Sequence, residues 1–419
     1  MVGAGRKGTS SLSLSVSDVR VEFLSVMARA LSAYGENAED LERGLTACAR
    51  SLGLRAQFFG TPTAVFASFQ DGDDENTRLL RITEASIDLQ ALSLVHGVLD
   101  GVTAGTTGVE PGLAELKLIR ASPPRFPWYM RVLASGLGAA SFAIFLGGAF
   151  TAFLAALPVG LAVGALVVVA QRYRRLTPLV ELLAALLAAF VTIAVGHVYD
   201  HFSLPTVTLA GVILLLPGLS ITIGVAELAS RHLSSGTSRL AGATVTLVNL
   251  GVGSFLGFAL AARLDLVPAT GLVERSPGTT VFVAAVLINA MALVVATNTR
   301  VRDYPYTLAA VVVALVGARF GAWLVGAALG VAVASLIVGL GSNAFARLRH
   351  RPAALTLIPG LAVLVPGALG LRGVSEFLRT AAGGVDVLIS VIVIAAGIVV
   401  GLMIADATLP PRRGRDFFD

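Results

Sequence analysis

The chain of 419 residues has one cysteine, two lysines (Lys7 and Lys117) and only 14% charged residues. A lone thiol, Cys48, can form no internal disulfide and supplies no thiolate cluster for a metal. Soluble domains are about a quarter charged, so water is not the solvent for most of this chain. No helical HExxH pattern, Walker-type glycine loop or nucleophile elbow occurs. The sequence therefore gives no ground for an enzyme, a metal site or a bound cofactor. Apolar residues dominate instead, at 55%, with a mean hydropathy of +0.82. Arg outnumbers Lys by 29 to 2 and Ala, Gly and Val are in excess, a codon-bias signature of a GC-rich bacterial genome.

Polarity is unevenly distributed. Residues before about position 125 fit a soluble domain, and those after it come in apolar blocks of about twenty. Residues 1–17 are Ser/Gly-rich, with Arg6 and Lys7 and no apolar run, and lack the middle of a secretory signal. They are expected to be a disordered cytoplasmic tail. Within 18–122, one helical face carries Val19, Phe23, Val26 and Ala30 and a second carries Leu41, Leu45, Cys48 and Leu52, with Gly53 as a cap. Runs at 55–59, 64–69 and 77–82 read as strands separated by Thr61-Pro62 and an acidic turn. Helices return at 88–102 and 111–121, making a small cytoplasmic α/β domain. From Asp18 to Lys117 there are 15 acidic and 8 basic residues, a net negative surface that excludes nucleic acid as a partner.

Ten apolar stretches follow, near 130–150, 152–171, 178–198, 206–228, 238–262, 279–299, 304–320, 322–343, 355–377 and 385–407. Each approaches the roughly 20 residues that cross about 30 Å of hydrocarbon, so the lipid bilayer is the expected surrounding. With the amino-terminal domain inside, 16 Arg fall in inner loops and 5 (Arg263, Arg275, Arg319, Arg372 and Arg379) in outer ones. That asymmetry obeys the positive-inside rule and places both termini in the cytoplasm of a multi-pass protein of the plasma (inner) membrane, with a cytoplasmic tail at 409–419. Trp128, Tyr129, Tyr173, Tyr304 and Trp323 fall near span ends, where aromatic belts form.

A shift of 149 residues superposes the first five spans (128–262) on the last five (279–408). Gly211, Leu215, Pro217, Gly218, Gly224, Val225 and Glu227 then meet Gly360, Leu364, Pro366, Gly367, Gly373, Val374 and Glu376. Five is odd, so the second copy enters the membrane from the opposite side. The fold class expected is thus ten transmembrane helices as two inverted five-span repeats after an α/β domain, chiefly a transporter architecture. Pro217-Gly218 and Pro366-Gly367 lie at the centres of spans four and nine, where a missing amide admits a helix break. Matched midplane breaks point to a transport site, although a plain proline kink is the alternative.

Several stretches resemble the threonine/serine exporter family. Tyr34-Gly35, Glu39, Glu42, Gly53, Thr61-Pro62-Thr63 and Thr77-Arg78-Leu79-Leu80-Arg81 look like its amino-terminal domain. Pro217-Gly218, Glu227-Leu228, Ser235-Gly236 and Arg239 look like its fourth and fifth spans, and Val365-Pro366-Gly367 like its ninth. The resemblance covers residues 18 to 408. It implies export of small hydroxy amino acids, threonine and serine, driven by the proton-motive force. Glu227 stands where the family more often has Asp, which keeps the charge.

Asn249 and Asn289 fall near the centres of spans five and six, level with the breaks, where a polar group is costly unless paired or lining a wet cavity. A helix restarting at Gly218 offers free amides, with Ser220 and Thr222 beside them, to a carboxylate. The carbonyl of Ile213 loses its usual partner and is open to an ammonium. Interhelical hydrogen bonding explains the same asparagines and hydroxyls equally well. No carboxylate sits at the midplane. Glu227, Glu376 and Asp406 are expected at the interface, and Glu181 is the deepest, so Glu181, Glu227 and Asp406 are the coupling candidates. His197 and His201 border the outer surface. The competing functions are an exporter of small carboxylates such as succinate and, in another class, a membrane receptor or scaffold. A homo-oligomer is left open.

Overall fold

The structure is a computed structural model that describes residues 13–71, 74–82, 87–173, 175–199, 201–268, 277–349, 351–364, 371 and 381–410. Two compact units emerge, one of residues 1–123 with 230–235 and the other of residues 124–229 with 236–419.

The first unit contains helices α1 (Ser13–Ala33), α2 (Ala38–Ser51), α3 (Leu89–Thr103) and α4 (Val109–Ala121) and strands β1 (Arg55–Thr61), β2 (Ala64–Asp71) and β3 (Asp74–Arg81). Helix α1 begins at Ser13, so it extends into the stretch expected to be tail. The strands form an antiparallel meander in the order β1-β2-β3. Alternation decides its faces: Phe58, Val65, Ala67, Phe69 and Leu80 are buried against the helices, while Phe59, Phe66 and Leu79 point away and are exposed. Local chemistry sets the helix ends. Asn37 and Asp88 cap α2 and α3 by accepting from the Asp40 and Ala91 amides, both at 2.8 Å. Gly35 and Gly53 supply the positive φ, +97° and +73°, at the exits of α1 and α2. Phe23, Leu24, Met27, Leu31, Leu41, Leu45 and Leu116 fill the core at 2% exposure or less.

The second unit is helical: α5 (Trp128–Phe145), α6 (Phe150–Arg172), α7 (Val180–Gly196), α8 (Leu204–Gly211), α9 (Gly218–Ala229), α10 (Leu233–Arg263), α11 (Thr279–Ala296), α12 (Tyr304–Val325), α13 (Ala327–Arg349), α14 (Ala354–Leu364) and α15 (Ala381–Thr408). Seven helices among the described residues are long and apolar enough to cross a membrane, and the bent pair α8–α9 makes an eighth. Ala354–Leu364 and Ile392–Thr408 are shorter apolar helices in the regions expected for spans nine and ten. Large apolar side chains such as Val245, Leu256, Val283, Val316 and Ile392 are exposed on the outside, as suits lipid.

The interior is small-residue packing, with Ala152, Ala155, Ala156, Ala184, Ala185 and Ala188 among the fully buried residues of one cluster. Helices pack this closely in membranes because dispersion, rather than water exclusion, drives their association. At Gly211 a Cβ would overlap the Cγ1 of Val159 on α6 and meet the Cβ of Ala188 on α7 at 3.7 Å. At Gly360 a Cβ would lie 2.7 Å from Val338 on α13 and 3.6 Å from the carbonyl of Ala310 on α12. Each glycine therefore lets its helix wedge between two others.

Candidate functional site

The fourth span, α8 with α9, is built around a break. Ser203 caps α8, accepting from the Thr206 amide at 3.4 Å, and Pro205 follows in the first turn, where its missing donor costs nothing. The helix stops at Gly211, and Ile213–Leu215 tighten into one 3-10 turn. Leu216 is extended, at φ −66° and ψ 128°, the region that the ring of the following proline imposes on its predecessor. Pro217 then accepts from the Ile221 amide at 2.9 Å, the first bond of α9. The 52° bend of the span lies ahead of the proline, between Leu204–Gly211 and Ile213–Ala229.

The amides of Gly218, Leu219 and Ser220 thus stand at a helix start with no intrahelical carbonyl to serve them, the arrangement that favours an anion. Ser220 is half-buried beside them. Thr222 is 1% exposed and donates its hydroxyl to the Gly218 carbonyl at 3.2 Å, so its donor is spent within its own helix. The Ile213 carbonyl accepts from the Leu216 amide at 3.2 Å. It is not left open as the sequence suggested, because the 3-10 turn replaces the bond that Pro217 cannot make.

Asn289 lies on α11, 5% exposed, and its amide oxygen has no hydrogen-bond partner among the described residues. Val286 and Leu293 lie three and four residues from it on the same face, Ala290 is its neighbour, and all three are buried against Phe145, Ala362 and Val363. Val363 also borders a second cluster, in which Leu361 and Leu364 pack with Leu219, one residue past the break. The carboxyl end of α14 is thus where the face bearing Asn289 and the start of α9 converge. Pro366 and Gly367 follow that end directly but lie outside the described residues, as do Arg372 and Glu376. Asn249 is half-buried on α10, between Leu247 and Leu250 of the central cluster.

Among the carboxylates, Glu181 is half-buried in the first turn of α7, and Glu227 is the more enclosed at 2% exposed. Arg239 on α10 donates its Nε to both oxygens of Glu227, at 3.1 and 3.0 Å. Asp406 is exposed and accepts from Asn343 on α13 at 2.7 Å. His197 contacts the Leu266 carbonyl at 2.8 Å.

Sequence reasoning missed three features. Asp303, 4% exposed, receives both terminal nitrogens of Arg351 at 2.6 and 2.8 Å. Arg351 had registered only as an inner-loop charge, since a pairing over 48 residues leaves no local pattern. Asn343 joins α13 to the end of α15 through Asp406, and its position in a polar Gly-Ser-Asn run was the available signal. Ser254 on α10 is buried with its hydroxyl unpartnered among the described residues. No group of three His, Cys, Asp or Glu side chains among the described residues could hold a metal ion.

Several apolar membrane-capable helices and a helix broken mid-span define a polytopic α-helical membrane protein. A profile described as a threonine/serine exporter matches residues 22–261, and a second, described as threonine/serine exporter ThrE, matches residues 278–408. The chain belongs to the threonine/serine exporter family, which points to a transporter rather than an enzyme. Curated relatives include pheromone-regulated membrane protein 10 of Saccharomyces cerevisiae, 30% identical over 261 residues, covering 61% of this chain and 34% of that one. The protein of the same name from Candida albicans is 29% identical over 255 residues, covering 59% and 23%. An uncharacterized Schizosaccharomyces pombe protein is 26% identical over 374 residues, covering 84% and 48%. The chain spans less than half the length of each of these fungal relatives. No solved structure matches it.

Proposed function

We propose that the chain is a secondary active exporter of small hydroxy amino acids, threonine and serine, in the plasma membrane, driven by the proton-motive force. Its ten spans form two inverted five-span repeats, with the α/β domain and both termini in the cytoplasm. The observation that carries this reading is the half-helix α9, which begins at Gly218 in the middle of a span whose first segment, Leu204–Gly211, is bent by 52° from Ile213–Ala229. Such a start presents amides and the positive end of a helix dipole to a carboxylate at depth, where lipid offers no competitor. The repeat is supported by packing. Gly211 wedges between α6 and α7, and Gly360, 149 residues later, wedges between α12 and α13. Those are the helices to which the same offset carries α6 and α7.

In this reading the substrate carboxylate docks at the amides of Gly218 to Ser220, and the Ser220 hydroxyl adds a donor. The unpartnered amide oxygen of Asn289 accepts from the substrate's hydroxyl or ammonium, since a buried acceptor left unpaired costs about 1–3 kcal/mol. Asn249 and the matching Pro366-Gly367 pair are assigned to the same site. Glu181, Glu227 and Asp406 are the groups available for coupling to protons. Counterflow in proteoliposomes tests the assignment. Internal threonine should drive uptake of labelled threonine and serine but not succinate, and an imposed pH gradient should accelerate it. Counterflow with succinate alone would refute the amino-acid substrate.

A further inference from the structure

The sheet of the first unit has an outer strand that its own fold leaves open. Among the described residues β1 pairs with β2 alone, and alternate residues of an antiparallel strand turn their amides and carbonyls to opposite sides. Gly60 identifies the outward set, because its amide donates to Glu42 Oε1 at 2.8 Å. Ala56 and Phe58, in phase with Gly60, therefore point to the same open side. No hydrogen-bond partner among the described residues reaches their backbone groups. A concavity of about 900 Å³ between α2 and β1 borders them.

The two ends of this concavity differ in charge. Glu39 and Glu42 stand near Gly60, with Arg43 neutralising Glu39 and Asp40 in part and His232 Nε2 3.5 Å from Glu42, and the carboxylates outnumber the permanent cation at this end. Arg50 and Arg55 stand at the other end and form no ion pair among the described residues. The exposed face adds an apolar row, since Phe59 is opposite Phe66 and Phe66 opposite Leu79. These three are 47%, 41% and 61% exposed.

We propose that two copies of this chain pair edge to edge through β1, antiparallel across a two-fold axis at Gln57. In that register Ala56 of each copy exchanges hydrogen bonds with Phe58 of the other, which uses the backbone groups left free. The same axis sets the arginine end of one copy against the carboxylate end of the other, an isologous contact complementary to itself. The two meanders become one six-stranded sheet with both apolar rows on one face. Arg55 of each copy then lies opposite Phe59 of the other, within reach of its ring.

The test uses the full chain in isolated membranes, in a Cys48→Ala background. Gln57→Cys places two thiols across the axis, about 4.5–5.5 Å apart between Cβ atoms, and mild oxidation should convert most of the protein to a covalent dimer. Ser68→Cys, one strand further in on the same face, should give roughly tenfold less. Ala56→Pro removes an outward amide without touching the β2 ladder and should lower the Gln57→Cys dimer about tenfold, for two hydrogen bonds lost per dimer. Arg50→Glu with Arg55→Glu should do the same, and adding Glu39→Arg should restore part of the loss. Light scattering on the unmodified detergent-solubilised chain should give the mass of two copies. A monomeric mass, or equal cross-linking at positions 57 and 68, would overturn the proposal.

Discussion

Replacing Arg239 by methionine isolates the ion pair that joins α9 to α10. Glu227 is 2% exposed and the Arg239 side chain 19%, so the partners do not lose equally when separated. With Arg239→Met the carboxylate stays enclosed without its cation. Breaking a buried pair in this way costs about 3–5 kcal/mol. With Glu227→Gln the guanidinium remains, already partly in contact with solvent and on a stem that can turn outward, so the cost falls to about 1–2 kcal/mol. Removing both, as Glu227→Gln with Arg239→Met, should recover most of the larger loss, because replacing a whole buried pair is often close to neutral. The assay is the fraction of detergent-solubilised chain that stays monodisperse after heating, compared across wild type, both single variants and the double variant. The expected order is Arg239→Met least stable, Glu227→Gln intermediate and the double variant near wild type. A double variant no better than Arg239→Met would show that the arginine acts by packing rather than by neutralising Glu227.

Pro217→Ala restores a donor that can reclaim the Ile213 carbonyl and join the 3-10 turn to α9 as one continuous helix, which takes up the amides left open at Gly218 to Ser220. Counterflow should fall about tenfold or more at matched folded yield, and normal transport would reduce the proline to a packing feature. Asn289→Leu should raise the half-saturating threonine concentration by up to about tenfold, the worth of one hydrogen bond. A lowered yield with unchanged half-saturation would mark it as structural. In the first unit, burial disfavours charge on His96, but its 2.5 Å bond to Glu36 and the charges of Glu36, Asp100 and Asp40 outweigh this and raise its pKa. Burial also raises the pKa of Asp100. Both groups hold protons more tightly folded than unfolded, so their contribution to stability declines as pH rises, for His96 from its ordinary value near 6.5 through its raised one. Hydrogen exchange of α3, corrected for intrinsic rates, should show less protection at pH 9 than at pH 6, and His96→Gln should flatten that dependence. Thr270→Cys in a Cys48→Ser background should react with an impermeant thiol reagent from outside, and Tyr173→Cys only after permeabilisation. The reverse pattern would invert the topology.

Periodicity made most of the elements legible before any coordinates. The separation of α1 from α2 near Gly35, the Gly53 end and the three strands follow from interactions within a few residues, and such interactions leave local patterns, whereas the Asn37 cap of α2 was read only from the structure. The same holds for the apolar helices and for the break at Pro217, since a ring that removes one amide acts on its own turn. Helix α1 escaped at its start, where Ser-rich composition suggested a tail although Ser13 already lies in the helix. The family resemblance could be read from matched residues alone.

Tertiary structure decided which polar groups are satisfied. Depth along a span is a property of one helix, and it put Glu181, Glu227, Asn249 and Asn289 on a single scale. Burial and pairing depend on what a neighbouring helix presents at that height. Only the packed structure brings Arg239 to Glu227, Arg351 to Asp303 and Asn343 to Asp406, and only it leaves the Asn289 amide oxygen without a partner among the described residues. It also returned the Ile213 carbonyl to a turn that local reasoning had left open. The sequence by itself determined where the chain is apolar, where it breaks and which family it resembles, because those depend on neighbours along the chain. The structure decided which charges are compensated, because that depends on side chains far apart in sequence, 48 residues for Arg351 and Asp303 and 95 for Lys117 and Glu22.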